Sequence, residues 1–281
     1  MYQEINLDLQ AFAKRVYDSI LYQSTFYKFL NTNYIGTLRQ TGAPVIEIAK
    51  TDALTVNVRS TKEIQTGLTP ALTTYNRTMV DLTELPMDYS IRVPLVVAGS
   101  DITNAIQDAA DLEDAAIAEA IDTYGYNKLA AATMDEFEWA PATKDEYITL
   151  LNKLRATLYN KKVVGEYRIG LGANEYANYV SALTSVLKFE TLQGREGVDM
   201  GIIARAYGID AFEINDNVLN GEIGYFFNPI AVVGDTFFSA FIQHNSPQGY
   251  PGYYVLEGNQ MFGAEVVRPE AIIRLVEEVS A

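Results

Sequence analysis

Cysteine is absent from the 281 residues, and histidine and tryptophan occur once each. The first absence excludes disulfides, thiolate nucleophiles and cysteine-ligated zinc, and leaves the chain equally suited to reducing and oxidising surroundings. A single histidine, His244, excludes any histidine-clustered metal site within one chain. It is also the only residue that could serve a Ser-His-Asp triad. Positive charge is scarce: 21 Lys plus Arg stand against 36 Asp plus Glu, a net charge of −15. Tight nucleic-acid binding, which needs cations to displace counterions, is therefore disfavoured. Long apolar runs are missing too. None approaches the roughly 18 residues of a membrane helix, and MYQEINLDLQAFAKRV lacks the short apolar core of a secretory signal. With 48% hydrophobic and 20% charged residues, the chain has the composition of a folded protein, one large domain or two small ones.

Motifs that carry chemistry are equally sparse. There is no G-x-S-x-G elbow, and Ser100 in VAGSDI reads as a helix N-cap. His244 lies in the turn-rich QHNSPQGYPGYY and reads as structural or solvent-exposed. Gly170-Leu171-Gly172 lacks the third glycine of a dinucleotide fingerprint and reads as a tight strand-to-helix turn. Asn215-Asp216-Asn217 resembles part of a calcium loop, but its spacing to Gly221 and Glu222 fails the EF-hand pattern, so Asn220-Gly221 reads as a hairpin turn. No catalytic, cofactor or metal site is expected. A carboxylate-dependent hydrolase is the enzyme alternative, although no carboxylate pair is singled out.

The organisation along the chain is more informative. Residues 5–30 place Phe12, Val16, Ile20, Leu21, Phe26, Phe29 and Leu30 at helical spacing, an aromatic arm that needs a surface to lie on, either its own core or a neighbouring subunit. From 41 to 98 the period changes to two, in PVIEIAK, LTVNVR, RTMVDLTEL and MDYSIRVPLVV. Nine of the 34 residues from Thr51 to Glu84 are threonine, which suits a long hairpin exposed on both faces. Such a hairpin is marginal in isolation and should lie on another subunit or on its own body. An alanine-rich helix then runs from Ser100 or Asp101 to about Met134, some 45 to 50 Å at about 1.5 Å per residue, longer than a compact domain of this size requires. Its expected apolar stripe includes Ile106, Ala109, Leu112, Ile117, Ile121 and Leu129. Asp111, Asp114 and Asp122 fall on its expected acidic face, and ten acids against Lys128 lie between Ser100 and Ala140. After Pro141 the chain turns mixed: helices at 144–160 and 173–188, a strand EYRIGLG between them, and strands to either side of Gly208. A strand pair broken at Asn228-Pro229 follows, and two short strands split at Pro269.

This order of parts resembles the major capsid proteins of tailed bacteriophages, whose fold is shared with encapsulin shells and the floor domain of herpesvirus capsids. The phrases that carry the resemblance are GAPVIEIAK before the threonine-rich hairpin, DYSIRVPLVVAGSDI before the long helix, GIDAFEIND, and the closing NQMFGAEVVRPEAIIRLV. The resemblance implies an α+β phage major-capsid fold: an N-terminal arm (1–40), an extended hairpin loop (41–98), a peripheral domain (99–139 and 241–281) with a spine helix, and an axial domain (140–240). It implies a structural protein, not an enzyme and without cofactors. Such a protein assembles with itself as pentamers and hexamers into an icosahedral capsid around double-stranded DNA, which it contacts non-specifically. Further partners implied are a separate scaffolding protein, since the chain moves from Met1 straight into the arm, a portal and decoration proteins. No membrane is involved, and the location implied is the virion, assembled in the host cytoplasm. An encapsulin-type nanocompartment is the alternative within the same fold. Phe12, Phe26 and Phe29 of the arm and Val56, Val58, Val80 and Leu82 of the hairpin are the expected contacts to neighbouring subunits.

Overall fold

The computed structural model describes residues 8–31, 45–51, 75–94, 102–183, 204–238, 241–245 and 252–277. The arm forms helix α1 (Leu9–Gln23), capped by the Asp8 carboxylate, which accepts the N–H groups of Gln10 and Ala11. The helix stops at Ser24, and one 3-10 turn, Phe26–Phe29, completes the arm where a continuous helix is expected. Helix α2 (Ile102–Ala131) has 30 residues and spans about 45 Å. Its buried face runs through Ile106, Ala110, Asp114, Ile117, Ile121, Asp122, Tyr126 and Leu129. Leu112, expected on that stripe, is 76% exposed, because it sits about half a turn round from Ala110.

Two larger sheets pack about this helix. The first is built on the 14-residue β11 (Tyr253–Val266). Along one edge β11 pairs with β3 (Leu85–Pro94), and along the other with β9 (Val232–Phe238) and β10 (Ile242–Asn245) in turn. Period-two burial in β3 turns Tyr89, Ile91 and Val93 inward, as its alternation dictates. The second sheet has six strands: β4 (Asp135–Glu138), β12 (Ile272–Val276), β8 (Gly224–Phe227), β5 (Tyr167–Gly172), β7 (Ile209–Ile214) and β6 (Ala204–Ala206). Helices α3 (Lys144–Asn160) and α4 (Ala173–Leu183) belong with it. Helix α3 starts on a capping box: Thr143 accepts from Glu146 N–H, and the Glu146 carboxylate accepts from Thr143 N–H. A third, two-stranded sheet pairs β1 (Val45–Thr51) with β2 (Tyr75–Asp81), from Val45 opposite Asp81 to Thr51 opposite Tyr75. This is the base of the expected hairpin.

Several local expectations change. Asn220-Gly221 is a turn with both residues at positive φ, but β5 lies between β7 and β8, so it joins no hairpin. The strands either side of Asn228-Pro229 are not a pair: β8 enters the six-stranded sheet and β9 the β11 sheet. Of the closing strands, β11 is long, and β12 leaves it for the six-stranded sheet. Thus β9 and β12 exchange sheets relative to the expected grouping of 140–240 and 241–281. Gly170 and Gly172 lie inside β5, which runs straight into α4. Their role is room: a Cβ on Gly170 would come within 2.6 Å of Ile214, and one on Gly172 within 2.3 Å of the Asp216 carboxylate.

Candidate assembly surfaces

The arm is fastened to its own subunit. Asp122 of α2 accepts hydrogen bonds from Ser24 Oγ at 2.5 Å, Thr25 N at 3.0 Å, Thr25 Oγ1 at 2.8 Å and Phe26 N at 2.9 Å. These bonds end α1, satisfy the first N–H groups of the 3-10 turn and hold an anion where the turn's dipole favours one. Burial pushes the Asp122 carboxyl above the ordinary carboxylate range, with the hydrogen bonds opposing. One level along, Arg15 meets Asp111 at 3.0 Å and Asp114 at 3.8 Å, and Tyr89 OH donates to Asp114 at 3.3 Å. Burial raises Asp114 to about 6. All three aspartates expected on a solvated face therefore contact the arm, and two of them, Asp114 and Asp122, do so buried. Only Asp111 of the three is exposed.

Apolar contacts continue the fastening. Phe29 stacks on Phe227 of β8 with ring centroids 3.9 Å apart, and meets Tyr126, Phe212 and Tyr225 edge-on. Phe26 packs on Tyr126 and Phe262, and a Cβ on Gly125 would come within 2.3 Å of its ring. Phe12 meets Tyr89 and Phe241. Asn31 N–H reaches Val232 O, and Arg168 donates to Lys28 O at 2.7 Å. Burial lowers Lys28 to about 8. Residues 24–31 thus join α2 to both larger sheets.

Phe12, Phe26 and Phe29, expected as intersubunit contacts, are 7%, 0% and 0% exposed within this one chain. Their area is already removed from water, so it is not on offer to a neighbour. Val80 and Leu82 are likewise buried, in a cluster with Ile48, Val233 and Val267 that roots the hairpin on its own body. Val56 and Val58 lie outside the described residues. A further tie links helix and sheet. Arg274 of β12 donates to the C-terminal carbonyls of α2, at 2.8 Å to Ala130 O, and pairs with Glu222 at 3.0 Å. Burial raises Glu222 to about 7 against the pull of Arg274.

The surface offers other groups. Met79, Leu112, Tyr159, Val164, Tyr22 and Ile242 are all more than half exposed. His244 is exposed on β10, as expected. Among the described residues no cluster of three or more His, Cys, Asp or Glu could hold a metal, and no helix is long and apolar enough to cross a membrane.

No protein-family model and no curated protein matches the sequence. Solved structures do. A chain of Mycobacterium phage Che8 aligns over 92% of this chain and 93% of its own, with a TM-score of 0.60 at 18% identity. The capsid of cyanophage P-SCSP1u aligns over 85% and 84%, with a TM-score of 0.57 at 14% identity. The fold is that of phage capsid chains. A virus-like particle from Pyrococcus furiosus shares it more distantly, over 93% and 98%, with a TM-score of 0.51 at 10% identity. The α+β class expected from the sequence is the one observed.

Proposed function

We propose that the chain is a structural, non-enzymatic protein that assembles with itself into a closed icosahedral shell, the capsid of a tailed phage. The observation that carries this reading is the reach of the fold likeness, over 92% of this chain and 93% of the phage chain. Pentamers and hexamers close the shell around double-stranded DNA. A separate scaffolding protein, a portal and decoration proteins are its other partners, and the virion, assembled in the host cytoplasm, is its location. The division into arm (1–40), hairpin (41–98), peripheral (99–139, 241–281) and axial (140–240) parts is the one proposed for the subunit, with β3 and β9 counted to the peripheral sheet and β4 and β12 to the axial one. Within the hairpin, Val56 and Val58 remain the contacts proposed to neighbours. The acid-rich outer face of α2, with Asp108, Asp111 and Glu119 exposed, repels DNA and keeps contact with it non-specific.

The likeness to a virus-like particle supports a second reading, an encapsulin-type compartment of the same fold. Negative-stain microscopy of the purified protein tests the shared claim, with closed thin-walled particles expected. Nucleic-acid content then separates the two: packaged DNA favours the phage capsid, a protein cargo the compartment. A protein that stays monomeric at every concentration contradicts both.

A further inference from the structure

The two ends of α3 carry surfaces of opposite character. At its start, a groove of about 620 Å³ opens beside edge strand β4, with Phe137, Ala140 and Leu150 supplying apolar wall and Glu138, Asp145 and Glu146 carboxylates. Lys153 is the one cation on its lining. Glu146 is occupied by its capping bonds, at 2.7 Å to Ala142 N and 3.0 Å to Thr143 N, whereas Glu138 and Asp145 are exposed.

The far end closes on a Schellman motif. Val163 N–H bonds Leu158 O at 3.0 Å, Lys162 N–H bonds Tyr159 O at 2.9 Å, and Leu158 and Val163 are buried together beneath them. The left-handed position of this motif usually holds glycine, and here it holds Lys162 at φ 61. The motif fixes the backbone and presents three side chains outward: Tyr159 and Val164, 64% and 66% exposed, flanking the exposed Lys162. Two apolar anchors around a cation, on a turn that needs no ordering to bind, are the complement of an apolar groove edged by carboxylates.

We infer that the Tyr159–Val164 turn of one copy of this chain seats in the β4–α3 groove of a second copy, with Lys162 facing Glu138 and Asp145. The occupant is a second copy because charge and apolar surface match on the same chain, and because the exposed turn, with Lys162 nine residues or about 13 Å along the helix beyond the lining Lys153, does not line its own groove. A contact between two different patches is heterologous, and repeated head to tail it closes a ring when the rotation between copies closes and otherwise runs on as a filament. The inference rests on the shell reading and names the surface through which that reading's rings would form.

Charge reversal tests it in the full-length protein. Lys162→Glu alone and Glu138→Lys alone each set like charges across the contact, and each should lower the yield of assembled particles at least about tenfold. The double variant restores opposite charges and should return the yield to near that of the unmodified chain. Both side chains are exposed, so each variant should melt as the unmodified chain does, which separates loss of assembly from loss of fold. Single variants that assemble normally, or a double variant that fails to recover, overturn the pairing while the shell reading stands. Impairment by Glu138→Lys alone would mean that the groove serves a different, basic partner, and it too overturns the pairing. An unmodified chain that forms no oligomer overturns the shell reading itself, and the pairing with it.

Discussion

The Asp122 carboxylate accepts the backbone N–H of Phe26 at 2.9 Å, across a sequence separation of 96 residues. That bond and its companions from Ser24 and Thr25 make the arm part of the subunit's core. Asp122→Ala should strand buried N–H and hydroxyl donors, at about 1 to 3 kcal/mol for each group left unpaired. Denaturant unfolding should show a loss of several kcal/mol for this variant and almost none for the exposed Asp111→Asn. Equal, small losses at both positions would mean that the arm is not held there.

Truncation gives the same argument a larger signal. Removing residues 1–31 uncovers Phe262, Phe227, Tyr126 and Phe212 together, all fully buried in the intact chain. Since a domain is stable by only about 5 to 15 kcal/mol, the truncated chain should not fold as a monomer. Phe29→Ala alone should cost about 3 to 5 kcal/mol. Circular dichroism and hydrogen exchange on the truncated chain check this. A soluble body with native helix content would show that the arm is expendable to the subunit.

Much of the fold is legible in the sequence, and what is missed is long-range. Helix α3 spans the expected 144–160, and strands flank Gly208 as expected, because capping, period and glycine breaks are local signals. Sheet membership is not local, so the exchange of β9 and β12 between sheets has no counterpart in the pattern. The arm's apolar stripe is plain in the sequence. Its cover is not, for α2, β8 and β11 arrive some 80 to 250 residues later. One missed signal was present. Asp114 lies on the Ala110–Ile117–Ile121 row, and an acid on an apolar row is a buried acid with partners.

Buried carboxylates set the pH response. Asp114 rises from 3.8 to about 6 and Glu222 from 4.5 to about 7, each through burial. Folding therefore takes up protons between these limits, and stability is highest below them and falls as pH rises through about 6 and 7. The melting temperature should decline from pH 5 to pH 8, and Glu222→Gln should flatten the upper part of that decline. Lys28, lowered to about 8, acts with the opposite sign above pH 8, where its contribution grows with pH. A melting temperature that climbs from pH 5 to pH 7 would contradict this account.

Lys162 separates stability from assembly. Glycine at its left-handed position should stabilise the subunit by about 1 kcal/mol, because the Cβ penalty disappears. The same Lys162→Gly change removes the cation offered to the neighbour's groove. Its melting temperature should rise while its particle yield falls, and a parallel rise in both would contradict the role given to this turn.

Cryo-electron microscopy of particles formed by the full-length protein is the most direct measurement of the whole account. It should show a closed icosahedral shell in which residues 24–31 of each copy lie against that copy's own Asp122 and Phe227. Particles in which this segment crosses to a neighbouring copy, or preparations with no closed particle at any protein or salt concentration, would contradict it.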